Sequence, residues 1–536
     1  MSTGLAFGAV KPAFVNPEEK ISLEKGKILM VDLGQNIAGV PGISITGAEG
    51  TIVKLRGAEM LNDGKDNPEV RNGGSCGPKG TLYWTGLTRA RETDKNWYTD
   101  LYYMNDEEVQ EYRPSFTFHG FRYLEISADN DITIYSVYAQ PITSAVKQTG
   151  FIEINNVNVN QLFSNVLWSQ MGNHITIPTD CPNRSERLGW SGDIVVFSET
   201  SLYNFDNVNF MDNYMKIAAN YAENNGGNFG TTMPGASSGN GSSNAGWTNV
   251  GIILAWSIYQ QTGDISVLSE NYDILKNYMD MIIRDGLRVG YGDWVAFQAT
   301  SSTFMAESYK AYDALLMSKI ASVLGKSGDE AMYLAEHSKS KETMRNKYID
   351  LQGNVLSVSA DKVVSGGFLA PNIILDNSQT SILWSLKLLL YGSDDEKRVF
   401  MDNLLTNIEN KGSSIRDNAG EKTLSTGFLG VNVLLPVLTE NGLSASAYDL
   451  LLQDEMPSWL YEVKLGATTT WERWNAYSDE TSFESNGMNS FNHYAYGAVA
   501  EWMYEYMVGI QKDENNPGFK NIVLQPTIDL GLKYNG

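Results

Sequence analysis

Two hydrophobic periods divide the chain. Up to about residue 145 the apolar positions are strand-like. In 51–55, Val53 and Leu55 fall on the face opposite Ile52 and Lys54. Segments 121–126 and 132–138 are rich in β-branched and aromatic residues and are separated by polar breaks. Asn62-Asp63-Gly64 and Asn72-Gly73-Gly74 are turn signals. The pattern predicts a sandwich-like β domain over 1–148. From about residue 150 the period lengthens. Leu268, Tyr272, Leu275, Met279 and Ile282 alternate in steps of four and three, and Tyr312, Leu315, Leu316, Ile320, Val323 and Leu324 again recur at helical spacing. Further helices are expected in 381–391, 447–452 and 496–510, so that 149–512 reads as a helical domain joined by polar loops. Their apolar stripes and methionines read as core, not as a cofactor box. Residues 235–246, GASSGNGSSNAG, read as a flexible loop able to cap a pocket, and their Gly-Asn-Gly is too isolated for a phosphate fingerprint. The last strand candidate, 521–525, lies in a short β segment spanning 513–536.

With 536 residues, more than one core is expected. A net charge of -23 argues against nucleic acid or an anionic membrane surface as partner and favours neutral substrates. No apolar run approaches the roughly 18 residues of a membrane span. The first residues show no basic region followed by an apolar run, which favours a cytoplasmic location. Cys76 and Cys181 cannot make a disulfide framework, and the four histidines show no zinc spacing. His119 reads as a structural histidine on a strand.

Chemistry concentrates in two stretches. Residues 179–193, TDCPNRSERLGWSGD, place Asp180, Glu186 and Asp193 near Arg184, Arg187 and Trp190. Pro182 and Gly189 argue for a loop or a helix entry. Carboxyls beside an aromatic ring and hydrogen-bonding charges suit a sugar-cleaving pocket; a surface loop with ordinary ion pairs is the other reading. Residues 466–474, GATTTWERW, place Glu472 between Trp471 and Arg473, with NSFNHYAYG and its His493 nearby. Apolar rings around a carboxyl raise its pKa and a neighbouring arginine opposes this; the alternative is a buried Glu472 paired to Arg473 for structure.

The first string resembles the Asp-Cys-Pro-x-Arg-x-Glu-Arg-Leu-Gly-Trp-x-Gly-Asp signature of the bacterial α-L-rhamnosidase family, glycoside hydrolase family 78. Seven pieces occur in the family's order: VDLGQNIAG, FTFHGFRYLEI, DCPNRSERLGWSGD, YGDW, LSTGFLG, PSWLYEVKLGATTTWERW and NSFNHYAYG. The resemblance implies a β-sandwich followed by an (α/α)6 helical toroid. It also implies a C-terminal sandwich, which would be truncated here. By the same resemblance Glu186 matches the general acid and Glu472 the general base of an inverting, exo-acting α-L-rhamnosidase. Asp180 and Asp193 match carboxylates that hold sugar hydroxyls. Arg184, in the same signature, belongs with the substrate-binding residues, and Trp190, Trp247, Trp294 and His493 match residues lining the rhamnose pocket. The implied partner is a rhamnose-containing glycoside or oligosaccharide. Two positions depart: Ser185 replaces an Asp common before the acid, and Asn249 stands where many members have an acid. Two other readings are another toroid enzyme acting on a different sugar and a silent sugar-binding protein. A uronate lyase would want a Tyr or His base, which the paired glutamates argue against.

Overall fold

The computed structural model describes residues 19–67, 73–83, 98–145, 147–235, 244–287, 289–356, 363–365, 368–370, 377–484 and 489–527. The chain forms two compact units. One comprises Met1–Ala145, Gln161–Arg187 and Leu465–Tyr494; the other comprises Val146–Asn160, Leu188–Lys464 and Ala495–Gly536. Segments from far along the chain therefore pack with the N-terminal strands.

In the first unit, seven strands form one antiparallel sheet: β1 (Ile21–Leu23), β2 (Ile28–Gly47), β3 (Ile52–Ala58), β4 (Thr99–Tyr103), β5 (Gln110–Tyr112), β6 (His119–Ala128) and β7 (Ile132–Pro141). Their order is β1-β7-β2-β6-β3-β4, with β5 also on β2. The two family-like β pieces are neighbours: Val31 pairs with Leu124 and Ile37 with Phe121, across a register shift between Asp32 and Ile37. Alternation puts Val31, Leu33, Val53, Leu55, Phe121, Leu124 and Ile126 into one core. Trp168, on α1 (Val157–Asn173), packs against that core. His119 opens β6, with its Nε2 3.0 Å from Asp100 Oδ2.

In the second unit, α2 (Ser191–Asn204), α4 (Val250–Thr262), α6 (Ser302–Val323), α8 (Gln379–Lys387), α10 (Phe428–Glu440) and α13 (Val499–Trp502) each pack on the next, and α13 returns to α2. This closes the inner ring of the toroid. Around it lie α3 (Val208–Glu223), α5 (Ser266–Asp285), α7 (Ser327–Tyr348), α9 (Asp394–Glu409) and α11 (Ser444–Leu452), followed by the short α12 (Trp459–Lys464). Outer and inner helices differ in pattern for a physical reason. The α5 stripe of Leu268, Tyr272, Leu275, Met279 and Ile282 is buried as the period predicts. On α6 the expected stripe is only part of the buried surface: Ala311, Ala314 and Met317 are buried, whereas Tyr312 and Leu315 are half-buried. A helix packed on several sides has no single apolar face. Serine caps begin three of the helices: Ser301, Ser378 and Ser393 accept from Phe304, Ser381 and Glu396.

The last helix is shorter than expected. A 3-10 turn, Ala495–Ala498, leads into α13, and a π turn, Met503–Val508, follows it. The strand candidate forms and is paired. β9 (Val523–Leu524) pairs antiparallel with β8 (Ile510–Gln511), and Thr527 O accepts from Tyr448 Oη. Residues 236–243 of the Gly/Ser loop lie outside the described residues. Among the described residues, no helix is long and apolar enough to cross a membrane.

Candidate active site

In the sheet-bearing unit, the hairpin His174–Ile175 with Ile177–Pro178 delivers the chain into an irregular loop, as Pro182 predicts. Asp180, Asn183 and Arg184 are buried there, so the solvated surface-loop reading does not hold. The loop runs hard against the sheet at Gly120, where a Cβ would lie 2.7 Å from Asn183 N and 2.8 Å from Pro182 C. Arg187 ties it down: its Nη2 donates to Phe118 O at 2.8 Å and its Nε to Pro182 O at 3.1 Å. Its guanidinium also lies 4.3 Å from the centre of the Phe118 ring.

Arg184 is the centre of the cluster. Its Nε donates to Glu186 Oε2 at 2.8 Å, Nη2 lies 3.7 Å from Asp180 Oδ2, and Nη1 lies 3.6 Å from Glu472 Oε2. Burial works against the Arg184 charge, but Cys181, Glu472, Glu186 and Asp180 outweigh it and hold its pKa well above the ordinary value. The Glu472 side chain is 3% exposed and that of Glu186 29%, so the two carboxyls share a cation but differ in access to solvent. Burial pushes the Cys181 thiol up, and its Sγ donates to Asp180 Oδ2 at 2.7 Å. Asp180, Cys181 and Glu186 could by spacing face one ion, but Arg184 already supplies the positive charge among them.

Glu472 is held by its backbone, which donates to Ser490 O at 3.0 Å, and the Trp471 and Phe491 rings meet edge to face at 5.2 Å. His493 N donates to Thr470 O at 2.9 Å, and its ring stacks on Tyr494. The carboxyl of Glu472 thus pairs with Arg184, a partner the sequence order did not suggest.

In the helical unit, the three expected tryptophans converge on Tyr291. Ring centres of Trp190, Trp247 and Trp294 lie 5.6, 4.9 and 5.6 Å from it, all edge to face. Gly192 makes room: a Cβ there would lie 2.4 Å from the Trp247 ring. Trp247 Nε1 is buried and donates to no described atom. Asp193 sits in the first turn of α2, where the helix dipole favours a negative charge. The sequence reading singles out neither Tyr291 nor Asp293, although both lie in its YGDW piece. Asp293 is fully buried, accepts from Thr380 Oγ1, Gly427 N and Leu429 N, and is pushed by burial up to about 6 despite those bonds.

Residues 147–507 match the model of the bacterial alpha-L-rhamnosidase 6 hairpin glycosidase domain, and 22–146 that of the bacterial alpha-L-rhamnosidase concanavalin-like domain. The chain belongs to the bacterial α-L-rhamnosidase family. It is 34% identical over 527 residues to an α-L-rhamnosidase of Streptomyces avermitilis, covering 97% of this chain and 46% of that protein. It is also 34% identical over 534 residues to one of Formosa agariphila, covering 95% and 52%. The chain thus spans about half the length of the curated relatives it matches. The crystal structure of the Streptomyces avermitilis enzyme complexed with L-rhamnose superposes with a TM-score of 0.76 at 32% identity, over 95% of this chain and 45% of that one. The Aspergillus terreus α-L-rhamnosidase superposes with a TM-score of 0.80 at 27% identity, over 97% and 56%.

Both departures from the family pattern have local explanations. Ser185 is exposed, so the exchange of one polar side chain for another disturbs no buried packing. Asn249 is buried at the start of α4; its Nδ2 donates to Asp313 Oδ2 at 2.6 Å and its Oδ1 accepts from Gly246 N at 2.7 Å. Burial raises the pKa of Asp313 well above the ordinary value. The carboxyl expected at 249 is absent, and a buried acid from α6 meets the amide instead.

Proposed function

We propose that this chain hydrolyses terminal α-L-rhamnosides by an exo-acting, inverting mechanism. The observation that carries the reading is Arg184, whose one guanidinium meets Asp180, Glu186 and Glu472. Three carboxyls around one cation leave excess negative charge, which a proton retained within the cluster relieves. In this reading Glu186, the more accessible carboxyl, gives that proton to the oxygen leaving the sugar. Glu472, sealed from bulk solvent and facing the guanidinium, takes a proton from the water that attacks the opposite face. The guanidinium bridges them, so the two facing oxygens are at most roughly 9 Å apart, a ceiling that admits the inverting spacing of roughly 6.5–9.5 Å. Asp180 and Asp193 accept from sugar hydroxyls, and His493 contacts the sugar. Trp190, Trp247 and Trp294 offer apolar faces suited to the C6 methyl of rhamnose, and Trp247 Nε1 is a free donor for a hydroxyl. The chemistry asks for no cofactor, since carboxyls supply both acid and base. The division proposed for it is a sheet domain to 148, a toroid over 149–512 and a terminal β segment.

The test is hydrolysis of an aryl α-L-rhamnoside followed by proton NMR. The β-anomer of rhamnose is expected first. Initial α-anomer would mean a retaining mechanism, and cleavage only of other aryl glycosides would overturn the substrate assignment.

A further inference from the structure

Glu59 follows directly on β3 and is 4% exposed. No sequence signal marks it. Three donors converge on its carboxyl: Asn36 Nδ2 reaches Oε1 at 3.1 Å, while Asn183 Nδ2 and Phe491 N reach Oε2 at 2.7 and 2.9 Å. They come from three separate segments. Asn36 lies on β2, Asn183 immediately precedes Arg184, and Phe491 follows Ser490, whose carbonyl holds the Glu472 backbone. The same amides cross-link further. Asn36 donates to Thr469 Oγ1 and Phe491 O, both at 3.2 Å, and Asn183 to Asn489 O at 3.3 Å.

Every partner on the carboxyl is a donor, so the site is built for an ionised group that accepts on both oxygens. Burial opposes this and pushes its pKa to about 7, against the three bonds and the Arg184 charge. A buried charge is a costly way to hold loops together, and apolar packing would often serve stability as well. What the charge supplies is geometry: directed, charge-assisted bonds to the segment carrying Glu186 and to the segment carrying Glu472.

We infer that Glu59 is a positioning residue, which sets the Glu186 loop against the Glu472 loop through Asn183 and the Phe491 backbone. This rests on the rhamnosidase reading. Glu59→Gln keeps size but turns one acceptor oxygen into a donor, so whichever way the amide faces, donors oppose. With an aryl α-L-rhamnoside, kcat is expected to fall about 10- to 100-fold, as sub-ångström to ångström misplacement does, while KM moves less than about 3-fold. Asn183→Ala cuts the same link and should lower kcat similarly. The double variant should lose about as much as the larger single loss, not the product, because coupled residues are non-additive. Glu125→Gln is the control: it removes a buried carboxylate of the same sheet, 3.3 Å from Arg56, and should lower Tm at unchanged kcat. An inactive wild type would overturn the rhamnosidase reading and this inference with it. An active wild type with folded Glu59→Gln or Asn183→Ala at undiminished kcat would overturn the inference alone. If Glu59→Gln does not fold, Asn183→Ala decides.

Discussion

Gly120→Ala tests how tightly the sheet holds the acid-bearing loop. The added Cβ would lie 2.7 Å from Asn183 N and 2.8 Å from both Asn183 Cα and Pro182 C. Comfortable carbon contacts begin near 3.5 Å, so the two backbones must separate by roughly 0.7–1 Å. All three opposing atoms are main chain, so no side chain can rotate away to relieve the clash. Overpacking of this kind costs about 1–3 kcal/mol. The loop cannot retreat freely either, because Asn183 is bonded to Glu59 and Arg187 to Phe118. A shift of order 1 Å then reaches Arg184 and Glu186, and misplacement on that scale lowers turnover by about 10²-fold. Steady-state kinetics on an aryl α-L-rhamnoside and a melting curve measure both effects. Gly328→Ala on α7 is the matched control, since a Cβ there meets nothing within 4 Å; it should leave kcat unchanged and gain about 0.4–1 kcal/mol. Wild-type kcat and Tm in Gly120→Ala would refute the argument that this contact holds the loop.

Three further outcomes are expected. Glu186→Gln and Glu472→Gln should fold normally and each lose about 10²- to 10⁴-fold in kcat; near wild-type turnover in Glu472→Gln would move the base role elsewhere, with Asp193 the next candidate. Asn249→Asp places a second carboxyl 2.6 Å from the buried Asp313, so its Tm deficit against wild type should widen as pH rises and both carboxyls are driven to ionise; a Tm difference that stays constant or narrows with rising pH would refute this. Asp293 has its folded pKa raised to about 6 from 3.8, so its contribution to stability is full below about 4 and is lost as pH rises through about 6. The whole change is worth about 3 kcal/mol, of which about 2 falls between pH 4.5 and 7, and calorimetry at those two pH values should show that share in wild type and not in Asp293→Asn.

Much of this protein is local and therefore legible in its sequence. Alternation marked β3, and the 3.6 period marked α5, because each has one buried face that the side chains must match. The loop at Pro182 follows from covalent geometry, and residue types alone offered the Asp180–Asp193 string and Glu472 as candidates beside a structural reading of each. The (α/α)6 ring was legible only through resemblance, because its inner helices are buried on several sides and periodicity blurs there. What pairs with what was not legible at all. Glu472 faces Arg184 from 288 positions away in sequence rather than its neighbour Arg473, and Glu59 gathers donors from three distant segments. Tyr291 collects three tryptophans in the same way, and Asn249 finds its acid on α6. Such pairings are decided by the requirement that a buried charge or amide find a partner in space, and separation along the chain says nothing of where that partner lies.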